Sequence, residues 1–259
     1  MKLAILFWFY KEPEICKNRL ELLKKYNSDL KIFGLYGGEI SQAERYQDQL
    51  GEYLDDFYVF DSNTDDDWKW INGDLMILDW YSNRGKQLEW DSIAVTQWDM
   101  LVFDSLLRQF PDIKKDEIFI SGIRPIDEEL ESKWDWVKHG SKEREDYLSF
   151  QSYIKDNYEY TGTHIASLFI FQIFPRIFFE KYLTVQKKEI GMLEYKIPTY
   201  AKIFSIPFYE KDLGVRWHSD EPRPLNAIPE EISEAYIKEQ LSLESGWRIF
   251  HPYYKSWNL

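Results

Sequence analysis

The stretch Leu3–Tyr10, with the sequence LAILFWFY, is a continuous apolar run of the kind expected for a β-strand that is buried on both faces. A helix is predicted to follow from Pro13, because proline suits the first turn of a helix and the next apolar residues recur at helical spacing. Two further strands are predicted at Lys31–Tyr36 and Phe57–Phe60, with a polar helical segment between them. Strands that alternate with helices predict a parallel sheet with right-handed crossovers. Because such sheets bind ligands beyond the carboxyl ends of their strands, we expect a binding site in the loops that follow these three strands.

The remainder of the chain is predicted to be less regular. Residues 61–90 are predicted to be mostly loop, and the charged residues 125–160 are predicted to form a surface insertion. The apolar residues His164–Phe171 are predicted to form a further buried strand. Short strands are also predicted at Ser92–Thr96, Leu101–Phe103 and Ile118–Ser121, and helices at Pro175–Leu183, within 191–206 and at Pro229–Leu241. The sequence shows no repeat, low-complexity tract or flexible linker, which favours a single domain.

The composition limits the partners of the protein. In 259 residues, Lys and Arg total 32 and Asp and Glu total 45, so the formal net charge is −13. This acidic balance, without a Lys/Arg stripe, argues against nucleic acid as a partner, because a phosphate backbone requires a basic surface. A negatively charged ligand would need a local counter-charge, and a metal ion held by carboxylates would supply one. Aromatic residues make up 18% of the chain, which indicates that some rings line a pocket or a partner surface.

The cysteine content and the missing motifs exclude several classes of protein. Cys16 is the single cysteine, so an intrachain disulfide and every CxxC zinc or redox motif are excluded. A reducing, cytoplasmic location is expected, with Cys16 as an ordinary packing residue of the first helix. No apolar run is long enough to span a bilayer, so any membrane contact is expected to be peripheral. The sequence contains neither a P-loop nor a GxGxxG pattern after its first strand, which disfavours P-loop NTPases and dinucleotide-binding domains.

The segment Trp90–Leu107 carries the most informative acidic residue. Its apolar strand runs into Gln97-Trp98-Asp99, and strand alternation places Gln97 and Asp99 on one face. A carboxylate that is buried beside aromatic rings without a partner costs free energy. Asp99 is therefore expected to coordinate a cation or to accept hydrogen bonds, and a capping or ion-paired role is the alternative.

The order of features along the chain resembles the GT-A fold of nucleotide-sugar-dependent glycosyltransferases. The βαβαβ start is followed by Asp61 after the third strand, an Asn-Arg-Gly loop at 83–85, a strand that ends in an acidic motif, an acidic residue on a helix and a late histidine. The resemblance implies an α/β fold, in which a mixed, mainly parallel, Rossmann-like sheet is flanked by helices in a single domain, 1–259, with C-terminal elaborations. Residues 1–110 would form its nucleotide-binding half and residues 111–259 its acceptor-binding half.

In that family a DxD-type motif binds Mn²⁺ or Mg²⁺, and the metal ion grips the diphosphate of the donor. Residues 97–99 (QWD) stand where this motif would fall. Because Gln97 replaces the first acid, only Asp99 can be a charged ligand, and a catalytic role for it is implied. A late histidine, His218 or its rival His251, is implied as a further ligand of the metal ion or the diphosphate.

The resemblance also implies contacts to the nucleotide sugar. Tyr10 would stack on the base, and Asp61 would accept a hydrogen bond from the base or the ribose, although loop capping is an alternative for both. Arg84 would hold the diphosphate or sugar hydroxyls with its fork of donors, although a surface salt bridge is an alternative. Asp91 would bind a hydroxyl of the donor sugar, and Lys255 would add positive charge near the diphosphate. The residues implied to bind the nucleotide sugar are Tyr10, Asp61, Arg84, Asp91, Gln97, Trp98 and Lys255.

Two further acidic segments receive different interpretations. In inverting members of the family a carboxylate after the late strand deprotonates the acceptor hydroxyl, and Glu194 is the candidate for this general base, with Glu189 as its competitor and a surface glutamate as the alternative. The literal DxD sequence Asp65–Asp67 lies in a polar run that begins at Asp61 and precedes no strand. It is expected to be a solvated turn.

Together these features predict a metal-assisted glycosyltransferase of the hexosyltransferase type, which moves a sugar from a nucleoside diphosphate to a carbohydrate or other hydroxyl acceptor. A nucleotidyltransferase of similar fold is one alternative. The loop after the first strand contains no glycine, which counts against it. A non-catalytic carbohydrate-binding protein, with Asp99 in a structural role, is the other alternative.

Overall fold

The first part of the chain alternates strands and helices as its sequence predicts. In the computed structural model, residues 1–61, 64–218 and 221–258 are described. Its first elements are β1 (Leu3–Phe9), α1 (Pro13–Tyr26), β2 (Lys31–Tyr36), α2 (Ala43–Leu50) and β3 (Asp56–Val59). Pro13 stands in the first turn of α1, and Cys16 is fully buried on the side of that helix that faces the sheet.

Residues 61–90 are mainly helical, so the prediction of a loop was wrong. They form α3 (Asp66–Ile71) and α4 (Gly73–Asn83). The sequence of α4 is apolar on nearly all sides, so it lacks the single apolar stripe by which an amphipathic helix is recognised. The acidic run predicted to be a solvated turn instead starts α3, because the side chain of Asp65 accepts a hydrogen bond of 2.7 Å from the backbone N–H of Trp68. Ser62 and Asn63 of that run lie outside the described residues.

The later elements are shorter strands among longer helices. They are β4 (Ser92–Gln97), β5 (Leu101–Val102), α5 (Leu106–Gln109), β6 (Phe119–Ile120), β7 (Arg124–Pro125), α6 (Glu128–Lys133), α7 (Arg144–Tyr158), β8 (Ile165–Ala166), β9 (Gln172–Pro175), α8 (Arg176–Tyr182), α9 (Leu193–Ile203), β10 (Val215–Arg216), β11 (Leu225–Asn226), α10 (Glu234–Ser242) and β12 (Ile249–Phe250). Single 3₁₀ turns occupy 40–42, 51–53 and 85–87.

Two predictions for this part of the chain were wrong. The charged segment 125–160 contains α7, whose residues Tyr147, Phe150 and Ile154 are buried at helical spacing, so it packs on the core and is not a surface insertion. The apolar run at 164–171 does not form the sheet strand. Only Ile165–Ala166 is a strand there, and the strand of the central sheet, β9, begins at Gln172. A buried run without a period does not distinguish a strand from an irregular core segment.

Within the described residues, six strands form the central sheet in the order β3-β2-β1-β4-β9-β6. The strands β1 to β4 are parallel neighbours, and β9 runs antiparallel to both β4 and β6. The carboxyl ends of β1 to β4 and of β6 therefore meet at one edge, which we call the carboxyl edge, and the opposite edge is the amino edge. The predicted class, a mixed and mainly parallel sheet flanked by helices, is confirmed. The division into two functional halves stays a prediction.

Helices cover both faces of the sheet. Ile5 and Phe7 of β1 point to a core that includes apolar residues of α1 and α2. Ala4 and Leu6 point to the other core, which is formed with α4, α7, α8 and α9. This alternation follows from the period of two in a strand. Among the described residues, no helix combines the length and the apolar character needed to cross a bilayer.

A small antiparallel pair lies just beyond the end of β4 and decides which residues meet there. β5 pairs with β12, and Leu101 lies opposite Phe250. Asp99 comes two residues before β5, and His251 follows β12 directly. The pairing therefore brings a residue near position 100 into contact with one near position 250.

Candidate active site

A cleft of about 600 Å³ opens at the carboxyl edge between the loops that follow β1 and β2, and we call it the edge cleft. Gly38 allows these loops to approach each other, since a Cβ there would lie 2.6 Å from the backbone oxygen of Tyr10 and 2.5 Å from the hydroxyl oxygen of Tyr36. The rings that line the cleft belong to Trp8, Tyr10, Tyr36, Tyr46 and Trp70. Such a concave, ring-lined site is suited to a planar heterocycle.

Cationic side chains line the same cleft. They belong to Lys11, Arg45 and Lys69. Nζ of Lys11 lies 4.8 Å from the centre of the Trp98 ring, and Nζ of Lys69 lies 3.7 Å from Oδ1 of Asp66. Asp66 and Glu39 also line the cleft, so three cationic and two anionic side chains leave a small local excess of positive charge in a protein with a net charge of −13.

Sequence reasoning did not single out these cations. Arg45 lies in the first turn of α2, and the first turn of a helix that follows a parallel strand starts at the carboxyl edge, so a signal for it was present. Lys69 and Trp70 lie on α3, in the segment that was predicted to be a loop. Their sequence positions gave no indication that they face the cleft.

The indole nitrogen of Trp8 is a donor without a partner. Nε1 is buried and finds no hydrogen-bond acceptor within the described part of the chain, although the ring lines the edge cleft. A buried tryptophan N–H usually has a partner. The nitrogen itself is not exposed to the cleft, so it is an unpaired donor behind the cleft surface.

Asp99 and His251 meet at the end of β4. Nε2 of His251 lies 3.3 Å from Oδ1 of Asp99, and both side chains are 10% exposed. The backbone oxygen of Asp99 accepts a hydrogen bond of 2.8 Å from the N–H of Tyr253. Nδ1 of His251 is 2.9 Å from the backbone oxygen of Asn226, so the imidazole is fixed from both sides. His251, and not His218, is the histidine that the described residues bring to Asp99.

The charge of Asp99 controls the protonation of His251. Burial by itself lowers the pKa of the imidazole, but the carboxylate of Asp99 and the hydrogen bonds to Asp99 and Asn226 outweigh it, so the pKa of His251 is raised. His218, the other candidate, is exposed, and its ring lies beside that of Trp217, 6.1 Å away. The indole of Trp217 donates to the backbone oxygen of Gly122, which places this pair after β6, farther along the carboxyl edge.

Trp98 is the centre of an aromatic stack between the edge cleft and Asp99. Its ring lies 5.9 Å from that of Tyr10 and 5.8 Å from that of Tyr254. Tyr10, Trp98, Asp99 and Tyr254 line a second cleft of about 520 Å³, which shares Tyr10 and Lys11 with the edge cleft. Lys255 follows Tyr254, and its Nζ lies 2.6 Å from a carboxylate oxygen of Glu231. Its charge is therefore already paired.

Gln97 and Glu194 are linked through one peptide segment. The amide nitrogen of Gln97 donates to the backbone oxygens of Phe169 and Ile170, at 3.0 and 3.1 Å. The carboxylate of Glu194 accepts a hydrogen bond of 2.8 Å from the N–H of Phe169. Burial raises the pKa of Glu194 to about 7, although the Phe169 hydrogen bond opposes the shift. Glu194 lies in the first turn of α9 and is buried, so it is not the surface glutamate of the alternative interpretation.

Three residues expected at the nucleotide sugar lie elsewhere or at its margin. Arg84 pairs with Asp56, the first residue of β3, at 2.6 Å, and Asp91 accepts a hydrogen bond from the backbone N–H of Lys2. Both therefore lie at the amino edge. The prediction failed because it took nearness to Asp99 in sequence for nearness in space, whereas a strand separates its two ends by its whole length. Asp61 follows β3 on the carboxyl edge and is exposed.

The pair Asp99 and His251 allows a test of the implied Mn²⁺ or Mg²⁺. Oδ1 of Asp99 is buried and faces Nε2 of His251 at 3.3 Å. Carboxylate oxygen and imidazole nitrogen are ligands that suit Mn²⁺. Within the described ranges, no three His, Cys, Asp or Glu side chains come together. The pair therefore fits an ion that takes its other ligands from water and a bound diphosphate.

Comparisons with known proteins give matches among solved structures alone, since no family model and no curated protein matches the chain. A cytidylyltransferase from Leptospira borgpetersenii has 14% identity and a TM-score of 0.43, with 82% of this chain and 76% of that chain covered. The bifunctional glycosyltransferase WbbM has 10% identity and a TM-score of 0.47, with 99% and 46% covered, so this chain spans about half of its length. Core-mannan synthase A from Aspergillus fumigatus, in a Mn/GDP form, has 9% identity and a TM-score of 0.43, with 79% and 65% covered. Glycosyltransferases are thus among the structures that this chain resembles.

Proposed function

We propose that this protein is a glycosyltransferase that moves a sugar from a nucleoside diphosphate to a hydroxyl of a carbohydrate acceptor, with the help of a divalent cation. The observation that carries the proposal is the arrangement at the carboxyl edge. There the buried carboxylate of Asp99 and the imidazole of His251 stand next to a ring-lined cleft that contains cations. This arrangement offers separate places for a base, a diphosphate and a metal ion along one edge of the sheet.

The edge cleft would hold the nucleotide. Its rings suit stacking on a base, with Tyr10 at the boundary toward Asp99. Lys11, Arg45 and Lys69 would neutralise the diphosphate in the role that the sequence prediction gave to Arg84 and Lys255. Asp61 remains a candidate for a contact to the ribose at the margin of the cleft.

Asp99 and His251 would hold the divalent cation. When bound, the cation would neutralise the charge that builds up on the leaving diphosphate. Trp98 would keep its backbone and the Asp99 carboxylate in place through its packing between Tyr10 and Tyr254. The amide of Gln97, which replaces the first acid of the family motif, positions the segment at Phe169 and Ile170.

Glu194 is the proposed general base. In the transfer the bond between the anomeric carbon and the diphosphate oxygen breaks, and a bond from the acceptor oxygen to the anomeric carbon forms. The proton of the acceptor hydroxyl passes to the carboxylate of Glu194, and the nucleoside diphosphate leaves. A pKa of about 7 suits this role, because a base works best when its pKa lies near the operating pH.

A third cleft, of about 1040 Å³, is the proposed place of the acceptor. Ile120 and Gly122, the two neighbours of Ser121, line it together with the rings of Tyr160, Phe208 and Tyr209. The hydroxyl of Ser121 donates to the backbone oxygen of Leu168 and accepts from the N–H of Phe171, so this cleft adjoins the segment that holds Gln97 and Glu194. Rings beside polar side chains suit a carbohydrate, whose C–H faces stack on aromatic groups.

The test is a donor screen with the purified protein. We expect UDP- or GDP-linked sugars to raise the melting temperature more with Mn²⁺ than with a chelator, and an accepted donor to release its nucleoside diphosphate when an acceptor glycan is added. Asp99→Ala should abolish the part of the thermal shift that depends on Mn²⁺. Release of pyrophosphate from a nucleoside triphosphate would instead indicate a nucleotidyltransferase, and a shift with free glycan alone would indicate a binding protein.

A further inference from the structure

Arg19 is a fully buried arginine whose guanidinium does not contact solvent. It lies on α1 and is 1% exposed. One guanidinium nitrogen donates to the backbone oxygens of Tyr253 and Lys255, at 2.8 and 2.7 Å. The other terminal nitrogen donates to the side-chain oxygen of Asn18, at 2.6 Å. The planar fork of an arginine can satisfy several carbonyls at once, which the single ammonium of a lysine does less well.

Asn18 forms hydrogen bonds to the same C-terminal segment, two residues after Lys255. Its amide nitrogen donates to the backbone oxygen of Trp257, and its amide oxygen accepts from the N–H of Trp257, both at 2.8 Å. The amide thus pairs with one residue much as a neighbouring strand would. Residues 253–257 belong to no strand or helix of the described chain, so these side chains supply hydrogen bonds that regular structure would otherwise supply.

The segment that Asn18 and Arg19 hold by hydrogen bonds, Tyr253–Trp257, lies next to the residues of the proposed metal site. His251 lies two residues before it, and Tyr254 within it stacks on Trp98. The N–H of Tyr253 donates to the backbone oxygen of Asp99. A shift of this segment would therefore move His251 relative to Asp99 and would loosen Trp98 at the same time.

We propose that Asn18 and Arg19 are positioning residues that set the geometry of the Asp99–His251 site by holding Tyr253–Trp257 against α1. The inference rests on the proposed function, because it gives this site a bound divalent cation and diphosphate. Neither residue is proposed to touch the ligand. Burial of an arginine is expensive, and its hydrogen bonds to the carbonyls of Tyr253 and Lys255 offset part of that cost while they fix the segment.

Arg176 provides a matched control for this proposal. It also donates from its guanidinium to backbone oxygens, those of Leu88 at 2.7 Å and of Trp90 at 3.0 Å, but it does so at the amino edge. Arg19→Lys and Arg176→Lys therefore remove the same kind of contact at opposite edges of one sheet. Asn18→Ala is a second variant of the positioning pair, for use if Arg19→Lys folds poorly.

The experiment combines two measurements on wild type, Arg19→Lys, Asn18→Ala and Arg176→Lys. Calorimetry measures the affinity for UDP and for GDP in the presence of Mn²⁺, and amide hydrogen exchange measures the opening of residues 253–257. We expect Arg19→Lys and Asn18→Ala to speed exchange at 253–257 and to weaken Mn²⁺–nucleotide binding by roughly 10- to 100-fold, the range seen when groups behind a metal ligand are changed. Arg176→Lys should change neither.

The possible failures are distinguishable. If wild type binds the nucleotides with Mn²⁺ and Arg19→Lys and Asn18→Ala bind them equally well, the positioning role is overturned while the proposed function stands. Unchanged exchange at 253–257 in both variants, or an equal loss of affinity in Arg176→Lys, would also overturn it. If wild type binds no nucleotide, the proposed function fails, and the positioning role fails with it even where exchange is faster.

Discussion

Arg19 and Arg176 make the same kind of contact at opposite edges of one sheet, yet what they hold differs. Each donates from its guanidinium to backbone oxygens of an irregular segment. Arg176 holds the turn before β4 and lies 4.2 Å from the centre of the Trp90 ring, among the packed rings of Trp80, Trp90 and Phe179. Arg19 holds a segment next to a cleft, beside the buried carboxylate of Asp99, which faces the imidazole of His251.

This difference teaches how to separate structural from functional polar groups. A guanidinium on backbone oxygens is a general way to fix an irregular segment, and by itself it indicates no function. At the amino edge the segment that is held packs on aromatic rings. At the carboxyl edge the segment that is held presents the ring of Tyr254 to an open cleft, and it begins two residues after the buried His251. Local rules are broken, at a cost in stability, where a ligand completes the site.

Lys196 extends the comparison to a buried cation that has a carboxylate partner. Among the single variants, its replacement should lower the free energy of unfolding most. Its Nζ lies 3.0 Å from Oδ2 of Asp74, with side-chain exposures of 0% and 2%. Burial lowers the pKa of Lys196, although the charge of Asp74 opposes the shift. We expect Lys196→Met to lose about 3–5 kcal/mol of unfolding free energy in urea denaturation, because the buried carboxylate of Asp74 keeps the hydrogen bond from Tyr182 but loses its cationic partner.

A double variant tests the reason for that loss. Asp74→Leu combined with Lys196→Met removes both charges and should be more stable than Lys196→Met alone. Lys202→Met, on the exposed side of the same helix, is the control and should change stability by less than about 1 kcal/mol. A double variant as unstable as the single variant would show that packing, and not the unpaired charge, causes the loss.

Asp99 and Asp56 extend the comparison to carboxylates. Each is buried beside a nitrogen-bearing side chain, His251 for Asp99 and Arg84 for Asp56, with side-chain exposures of 10% and 7%, but Asp99 lies at the carboxyl edge and Asp56 at the amino edge. We expect Asp99→Asn to lower kcat/KM for sugar transfer by more than roughly 100-fold, since changes behind a metal ligand already cost 10- to 100-fold. Asp56→Asn should leave kcat/KM unchanged. Equal losses in the two variants would mean that activity only reports general stability.

Glu194 adds a pH dependence to the carboxyl edge. Its pKa is about 7 in the folded protein, against an ordinary value of 4.5. Between these values the folded state binds more protons than the unfolded state, so the contribution of Glu194 to stability falls as pH rises from about 4.5 to about 7. Glu194→Gln lacks this loss and keeps an oxygen for the N–H of Phe169.

The stability of Glu194→Gln relative to wild type should therefore change with pH. The difference should be small below pH ~4.5 and should grow to at most about 3 kcal/mol in favour of the variant above pH ~7, from urea denaturation at a series of pH values. Transfer by wild type should rise with pH through about 7, and the variant should lack that rise. A difference in stability that does not vary with pH would contradict the raised pKa.

The sequence was most informative where one pattern dominated. The apolar run of β1 and the alternation of strands and helices predicted the parallel part of the sheet correctly, whereas its binding edge stays a prediction. The pattern of α4 carried no usable period, and the charges of 125–160 concealed the buried stripe of α7. These helices were missed because the helical spacing of apolar residues is recognisable only where the overall composition of the segment does not obscure it.

The site was harder to predict than the fold, because it depends on which distant residues meet. Asp99 and both candidate histidines were recognisable from the sequence, but only the pairing of β5 with β12 shows that His251 is the one beside Asp99. Arg19 carried no signal as a site residue, since a guanidinium that donates to carbonyls far along the chain leaves no local pattern.

Arg84 offers the smallest expected effect and a direct test of geometry against sequence order. The sequence resemblance implies that it holds the diphosphate, whereas its guanidinium pairs with Asp56 at the amino edge and its side chain is 49% exposed. We expect Arg84→Ala to leave nucleotide affinity with Mn²⁺ unchanged. Its cost in stability should be less than about 1 kcal/mol, as is usual for an exposed ion pair.

Lys69→Ala is the matched variant inside the edge cleft, and calorimetry with UDP and GDP compares the two. Removal of one cation near a diphosphate should weaken nucleotide binding. A higher salt concentration should reduce the difference in affinity between Lys69→Ala and wild type, because screening weakens the contribution of that charge. The nucleotide affinity of Arg84→Ala should equal that of wild type at every salt concentration. A loss in Arg84→Ala that equals the loss in Lys69→Ala would place the diphosphate near the amino edge, and it would contradict the assignment of the edge cleft as the nucleotide site.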